Sequence, residues 1–164
     1  MAARVFWIPE VRVGRLAMMP RPRSDGWLAD EVASLRKAGL DCVVSLLDSG
    51  EIFDLDLGDE EELCKKAGME FVSFPITDRG VPPSVDSILP LVDGIVARLA
   101  AGKAVGVHCR VGIGRSGLIS ACVLLRQGMA YADVFPALSQ ARGVSVPDTS
   151  AQEDWVRGFA ARVR

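Results

Sequence analysis

One cysteine in this chain, Cys109, has an arginine six residues on, Arg115, within the segment Val107–Gly117 that reads V-H-C-R-V-G-I-G-R-S-G. These residue types at this spacing suit nucleophilic attack on phosphorus. A thiolate is the reactive form of cysteine, and it is stabilised where backbone N–H groups converge on it. Gly112 and Gly114 allow Arg110, Val111, Gly112, Ile113 and Gly114 to curl into such a nest. The planar fork of Arg115 can hold two phosphate oxygens, where a lysine would offer a single point charge. Ser116 puts a hydroxyl beside the sulfur, where it can stabilise the thiolate as it leaves again. His108 can orient the loop by hydrogen-bonding backbone groups. None of Cys42, Cys64 and Cys122 has the matching arginine, because Asp48, Glu70 and Gly128 stand there instead.

Cleaving an ester also needs a proton for the leaving oxygen, which a thiolate cannot supply. Asp78 lies 31 residues before Cys109 in the stretch P-I-T-D-R-G-V-P-P, the only acid there. Prolines and glycine exclude regular structure, so this is a loop. An aspartate in such a stretch can simply make a turn, but its isolation favours a chemical role. Arg79 and Arg110 are expected at the pocket mouth, where both can attract an anion. Further on, Thr149-x-x-Gln152 and Ser150-x-x-Glu153 each read as a helix capping box.

The elements that must position these groups alternate between strand and helix patterns. Residues 4–8 and 13–18 read as strands, paired antiparallel at a sheet edge. A helix over 27–38 carries Leu28, Val32 and Leu35 at helical spacing and stops at Gly39. Residues 42–47 read as a buried strand, and a short acidic-fronted helix runs from Asp59 to Ala67. Residues 70–74 form the next strand. A long helix to about Ala101 follows the Asp78 loop, its start placed near Ser87 because Pro90 belongs early in a helix. A short apolar strand over 104–108 leads into the Cys109 segment and a helix to about Gln127. Two helices, over 131–141 and 150–162, complete the chain. The pattern predicts an α/β fold: one central, mostly parallel sheet of about five strands flanked by helices. No repeat or linker divides it, so residues 1–164 are expected to be one domain.

The 164 residues are 49% hydrophobic and 24% charged, with a net charge of −2. That balance supports a buried core and excludes a disordered chain. It also argues against nucleic-acid binding, which wants a basic surface. No apolar run reaches membrane-spanning length, and the apolar stretch after Met1 is too short for a signal peptide. With one histidine, multi-histidine metal sites are excluded. The four cysteines form no C-x-x-C pair and are expected to be reduced, as in a cytoplasmic protein.

H-C-R-V-G-I-G-R-S-G resembles the signature of the cysteine-based protein tyrosine phosphatases, and within them the compact dual-specificity branch. The resemblance covers most of the chain and implies a parallel sheet with flanking helices, without metal or cofactor. It implies that Cys109 is the nucleophile, Arg115 the phosphate binder and Asp78 the general acid, and that Gln152 helps place the hydrolytic water. The expected activity is hydrolysis of phosphotyrosine, together with phosphoserine and phosphothreonine, in proteins or peptides by a monomer. Two readings compete. The same fold can act on phosphoinositide headgroups. Gly112–Gly117 is also a literal G-x-G-x-x-G, as in dinucleotide-binding oxidoreductases, although no convincing strand follows it.

Overall fold

The computed structural model describes residues 4–163. Met1–Ala3 and Arg164, the ends of the expected domain and the start of the stretch weighed as a leader, lie outside them. Alternation of apolar side chains builds the strands. In β2 (Arg15–Met19), Leu16 and Met18 face one apolar cluster while Ala17 and Met19 face another. The same period of two divides β3 (Cys42–Ser45), where Cys42 and Val44 face one side and Val43 the other. Both sheet faces are therefore covered, as a parallel sheet requires.

The sheet is completed by β1 (Phe6–Trp7), β4 (Glu70–Ser73) and β5 (Ala104–His108), in the order β1-β2-β5-β3-β4. Only β1 is antiparallel, pairing with β2 at the edge as the sequence suggests; β2, β5, β3 and β4 are mutually parallel. Thus β5 lies centrally between β2 and β3, and all five of its residues are buried.

One face carries α1 (Leu28–Lys37) and α3 (Glu60–Lys66); the other carries α4 (Val85–Ala100), α5 (Gly114–Arg126), α6 (Tyr131–Arg142) and α7 (Ser150–Arg162). Helix α5 is the hub of its side, packing against α4, α6 and α7, and Gly114 through Leu124 are all buried. No strand follows β5 among the described residues. The second βαβ unit demanded by the dinucleotide reading is absent from them.

Two local features depart from expectation. Helix α2 (Ser49–Asp54) fills a stretch with no predicted element, closed by a reciprocal Asp48–Glu51 capping box. Helix α4 begins at Val85, two residues before the predicted start, because Ser84 and Ser87 form its capping box. Pro90 costs that helix one backbone bond near its first turn, where the cap holds the backbone in place.

Candidate active site

Cys109 follows directly on β5, and α5 begins five residues later at Gly114. The segment between them turns back on itself at Gly112, whose φ is +81°. A β-carbon there would lie 2.5 Å from the Met19 carbonyl carbon, so glycine is required both for the turn and for its approach to β2. No side chain caps the start of α5. Its first-turn N–H groups are left for a ligand, and the helix dipole favours an anion there.

The Gly112 N–H donates to the Cys109 sulfur at 3.4 Å. Burial pushes the Cys109 thiol up, but hydrogen bonding by Ser116, the Gly112 amide and the Arg115 charge together hold it below the ordinary value of 9.0. Ser116 Oγ is buried and meets no group in regular hydrogen-bond geometry. Its influence is exerted on the sulfur beside it. The other cysteines behave as small apolar groups. All four are free and buried, and burial raises the thiols of Cys42 and Cys64 to about 11 and about 12.

Arg115 is only 2% exposed. Its Nη1 and Nη2 donate to Glu51 Oε1 and Oε2 at 2.6 and 2.8 Å, a two-pronged ion pair. Nη1 also donates to the Ile76 carbonyl at 2.8 Å, and Nη2 to Asp78 Oδ1 at 3.0 Å. The structure therefore brings Asp78 and Arg115 together, as expected, and adds Glu51. The sequence reading passed over Glu51 although Asp48-Ser49-Gly50-Glu51 spells a capping box, the signal that would have found helix α2.

His108 is wholly buried and does reach backbone, with Nδ1 3.1 Å from the Cys109 carbonyl. Its Nε2 meets Glu60 Oε2 at 2.6 Å, a partner not foreseen. Burial favours the neutral ring, but the Glu60 carboxylate and the Cys109 carbonyl outweigh it and raise the pKa above 6.5. When the ring is protonated both nitrogens donate, and the two contacts fix it between α3 and the signature segment.

A pocket of about 160 Å³ opens over the sulfur, lined by Asp78, Arg79, Arg110, Arg115, Asp148 and Gln152 together with Val111, Ile113 and Gly114. Arg79 and Arg110 are at the mouth as expected, but Arg79 pairs with Asp148 at 3.0 Å. Gln152 is buried; its Oε1 accepts from the Thr149 N–H and its Nε2 donates to the Gly80 carbonyl. Of the two capping boxes read from the sequence, Thr149–Gln152 is the one formed. Its glutamine also ties α7 to the Asp78 loop.

The Cys109 segment thus sits at the C-terminal end of the central strand of a mostly parallel sheet, where it meets the start of α5. A profile described as "Polymorphic toxin system, DSP-PTPase phosphatase" matches residues 17–129, and the chain belongs to that family. A zebrafish (Danio rerio) protein tyrosine phosphatase domain-containing protein 1 is 34% identical over 99 residues, 60% of this chain and 14% of that protein. Human (Homo sapiens) protein tyrosine phosphatase type IVA 3 is 35% identical over 80 residues, 48% of this chain and 46% of that protein. The aligned part is thus less than half the length of either relative. Among solved structures, kinase associated phosphatase superposes with a TM-score of 0.89 at 19% identity, over 99% of this chain and 97% of that one. Tk-PTP in its active form gives 0.75 at 24%, over 99% of each chain. At these identities the superpositions speak for the fold.

Proposed function

We propose that this protein is a phosphomonoester hydrolase working through a phosphocysteine, with phosphorylated proteins or peptides as substrates. The observation that carries the reading is the Cys109 sulfur at the floor of the pocket, its pKa held down while buried, beside Arg115 and Asp78. In the first step Cys109 Sγ attacks phosphorus in line. An S–P bond forms, the ester P–O bond breaks, and Asp78 gives its proton to the leaving oxygen. The inward N–H groups of residues 110–115 and the Arg115 guanidinium hold the three equatorial oxygens. In the second step water attacks phosphorus and passes a proton to the Asp78 carboxylate. The S–P bond breaks, and the Ser116 hydroxyl donates to the departing thiolate. Gln152 Nε2, at the pocket wall, orients that water.

Phosphotyrosine, phosphoserine and phosphothreonine are the groups assigned to this small pocket. The chain acts as a single catalytic domain and a monomer in the cytoplasm, a setting that the four free, buried cysteines support. No helix among the described residues is long and apolar enough to cross a membrane.

A phosphoinositide substrate is the second reading, favoured by similarity to PTPMT1 in complex with PI(5)P, at a TM-score of 0.73 and 19% identity. Against it stands Asp148, which neutralises Arg79 and puts a second carboxylate in the pocket wall. That arrangement disfavours a headgroup with several phosphates. Phosphate release from phosphopeptides and from phosphoinositide vesicles separates the two readings. Cys109→Ser is expected to abolish hydrolysis of p-nitrophenyl phosphate by the folded protein; retained turnover would overturn the mechanism.

A further inference from the structure

The carbonyl groups of the signature segment need partners as much as its N–H groups need a ligand. Three consecutive carbonyls are accounted for by groups outside the pocket. The Arg110 carbonyl accepts from the Arg21 backbone N–H at 3.1 Å. The Val111 carbonyl accepts from Arg142 Nη2 at 3.0 Å, and the Gly112 carbonyl from Arg142 Nε at 3.2 Å. Arg142 is the last residue of α6, 30 and 31 residues along the chain from these two partners. Its guanidinium lies 4.0 Å over the Phe6 ring of β1, which fixes the plane of the fork from the other side.

In a trans peptide the C=O and the following N–H point in opposite directions. Holding the Val111 and Gly112 carbonyls outward therefore turns the Gly112 and Ile113 N–H groups inward. The first of these is seen on the Cys109 sulfur. We infer that Arg142 is a positioning residue for the reaction: its two-pronged grip on the Val111 and Gly112 carbonyls, backed by Phe6, orients the amides that receive the phosphate and the thiolate. A lysine cannot do this, because one ammonium cannot span two carbonyls in a common plane. The inference rests on the proposed phosphatase reading, and it concerns backbone orientation rather than contact with substrate.

The test compares wild type with Arg142→Lys, Arg142→Ala and Phe6→Leu, each first checked for folding by circular dichroism and thermal melting. The pH dependence of Cys109 alkylation by iodoacetamide reports the thiolate without requiring turnover, and vanadate binding reports the amide nest. If the inference holds, the alkylation pKa rises and vanadate binds about tenfold more weakly in both Arg142 variants, with a smaller change of the same sign in Phe6→Leu. Ethylguanidine added to Arg142→Ala should restore part of the vanadate affinity. Folded Arg142 variants with wild-type alkylation profiles and wild-type vanadate affinity would overturn it. So would full rescue by lysine, which would reduce the contribution to charge alone. A wild type whose alkylation profile is that of an ordinary thiol would instead overturn the reading of Cys109 itself, so the two failures are distinguishable.

Discussion

Replacing Glu51 by glutamine keeps the shape of the side chain while removing its charge. The carboxylate is 7% exposed and receives both prongs of Arg115, and its Oε1 also accepts the Asp48 N–H. In Glu51→Gln one oxygen persists, and an amide N–H₂ is set against an arginine N–H. One charge-assisted hydrogen bond is lost, a cost of about 1.5–3 kcal/mol. Arg115 keeps the Ile76 carbonyl and Asp78, so the cost stays below the about 3–5 kcal/mol of a fully orphaned buried charge. A loss of about 2 kcal/mol in a domain of this size lowers Tm by about 4–8 °C. If the whole loss is felt in the transition state through a misaligned Arg115, kcat/KM falls about 30-fold. Burial pushes the Glu51 carboxyl up, but Arg115 and the Asp48 amide hold it below 4.5. Its stabilisation is therefore present above 4.5 and is lost as pH falls through the depressed value. The Tm difference between variant and wild type should narrow in acid. Thermal melts from pH 3 to 8 and p-nitrophenyl phosphate kinetics measure both effects. A Tm and a kcat/KM that both match wild type at neutral pH would refute the reasoning that the ion pair sets Arg115.

Asp78→Asn should slow hydrolysis of an alkyl phosphate by at least about 10²-fold, and of an aryl phosphate with a good leaving group much less. Equal slowing of both would remove Asp78 from the role of acid. His108, with its pKa raised above 6.5 by Glu60 against burial, contributes stability that is complete below about pH 6.5 and is lost as pH rises through the raised value. The lowered thiol of Cys109 works in the opposite direction, stabilising the fold as pH rises. The difference in Tm between Cys109→Ser and Cys109→Ser/His108→Gln therefore isolates the histidine and should shrink as pH rises above about 6.5; a pH-independent difference would show the ring to be neutral throughout. Gly112→Ala must fit a side chain at φ +81° against Met19, and should lower stability by about 1–3 kcal/mol and weaken vanadate binding. Wild-type affinity in that variant would mean the turn is not needed.

The core of the site was legible because its chemistry is written within one short segment. Cys109, Gly112, Gly114, Arg115 and Ser116 lie between a strand and a helix, and each residue type has a local reason to be there. The sheet was legible for a similar reason, since runs such as 42–47 and 104–108 are apolar and bounded by breakers. Glu51 escaped because α2 has six residues, too few for a helical period to appear, and only its capping box marked it. Arg142 and Glu60 escaped for a different reason. Their partners, Gly112 and His108, are 30 and 48 residues away in sequence, and a surface-type residue gives no local hint of such a contact. The same holds for Asp148, whose partner Arg79 lies 69 residues away. Pro90 misled through a sound rule, because proline favours the first turn of a helix and the Ser84–Ser87 cap moved that turn earlier.

The buried run Gly114–Leu124 of α5 has a consequence for how the protein moves. A helix enclosed by the sheet and three other helices cannot open by itself, so its amide protons exchange with solvent only when the whole domain unfolds. The segment from Cys109 to Ile113 is anchored to that helix at one end and to the central strand at the other, but Arg110 and Val111 lie exposed and exchange without any such opening. The Asp78 loop is held by Asp148, Gln152 and the tip of Arg115, and its exchange is set by small local openings. Deuterium uptake would thus divide the site by timescale, the body of α5 protected by orders of magnitude over the Asp78 loop and the exposed turn at Arg110 and Val111.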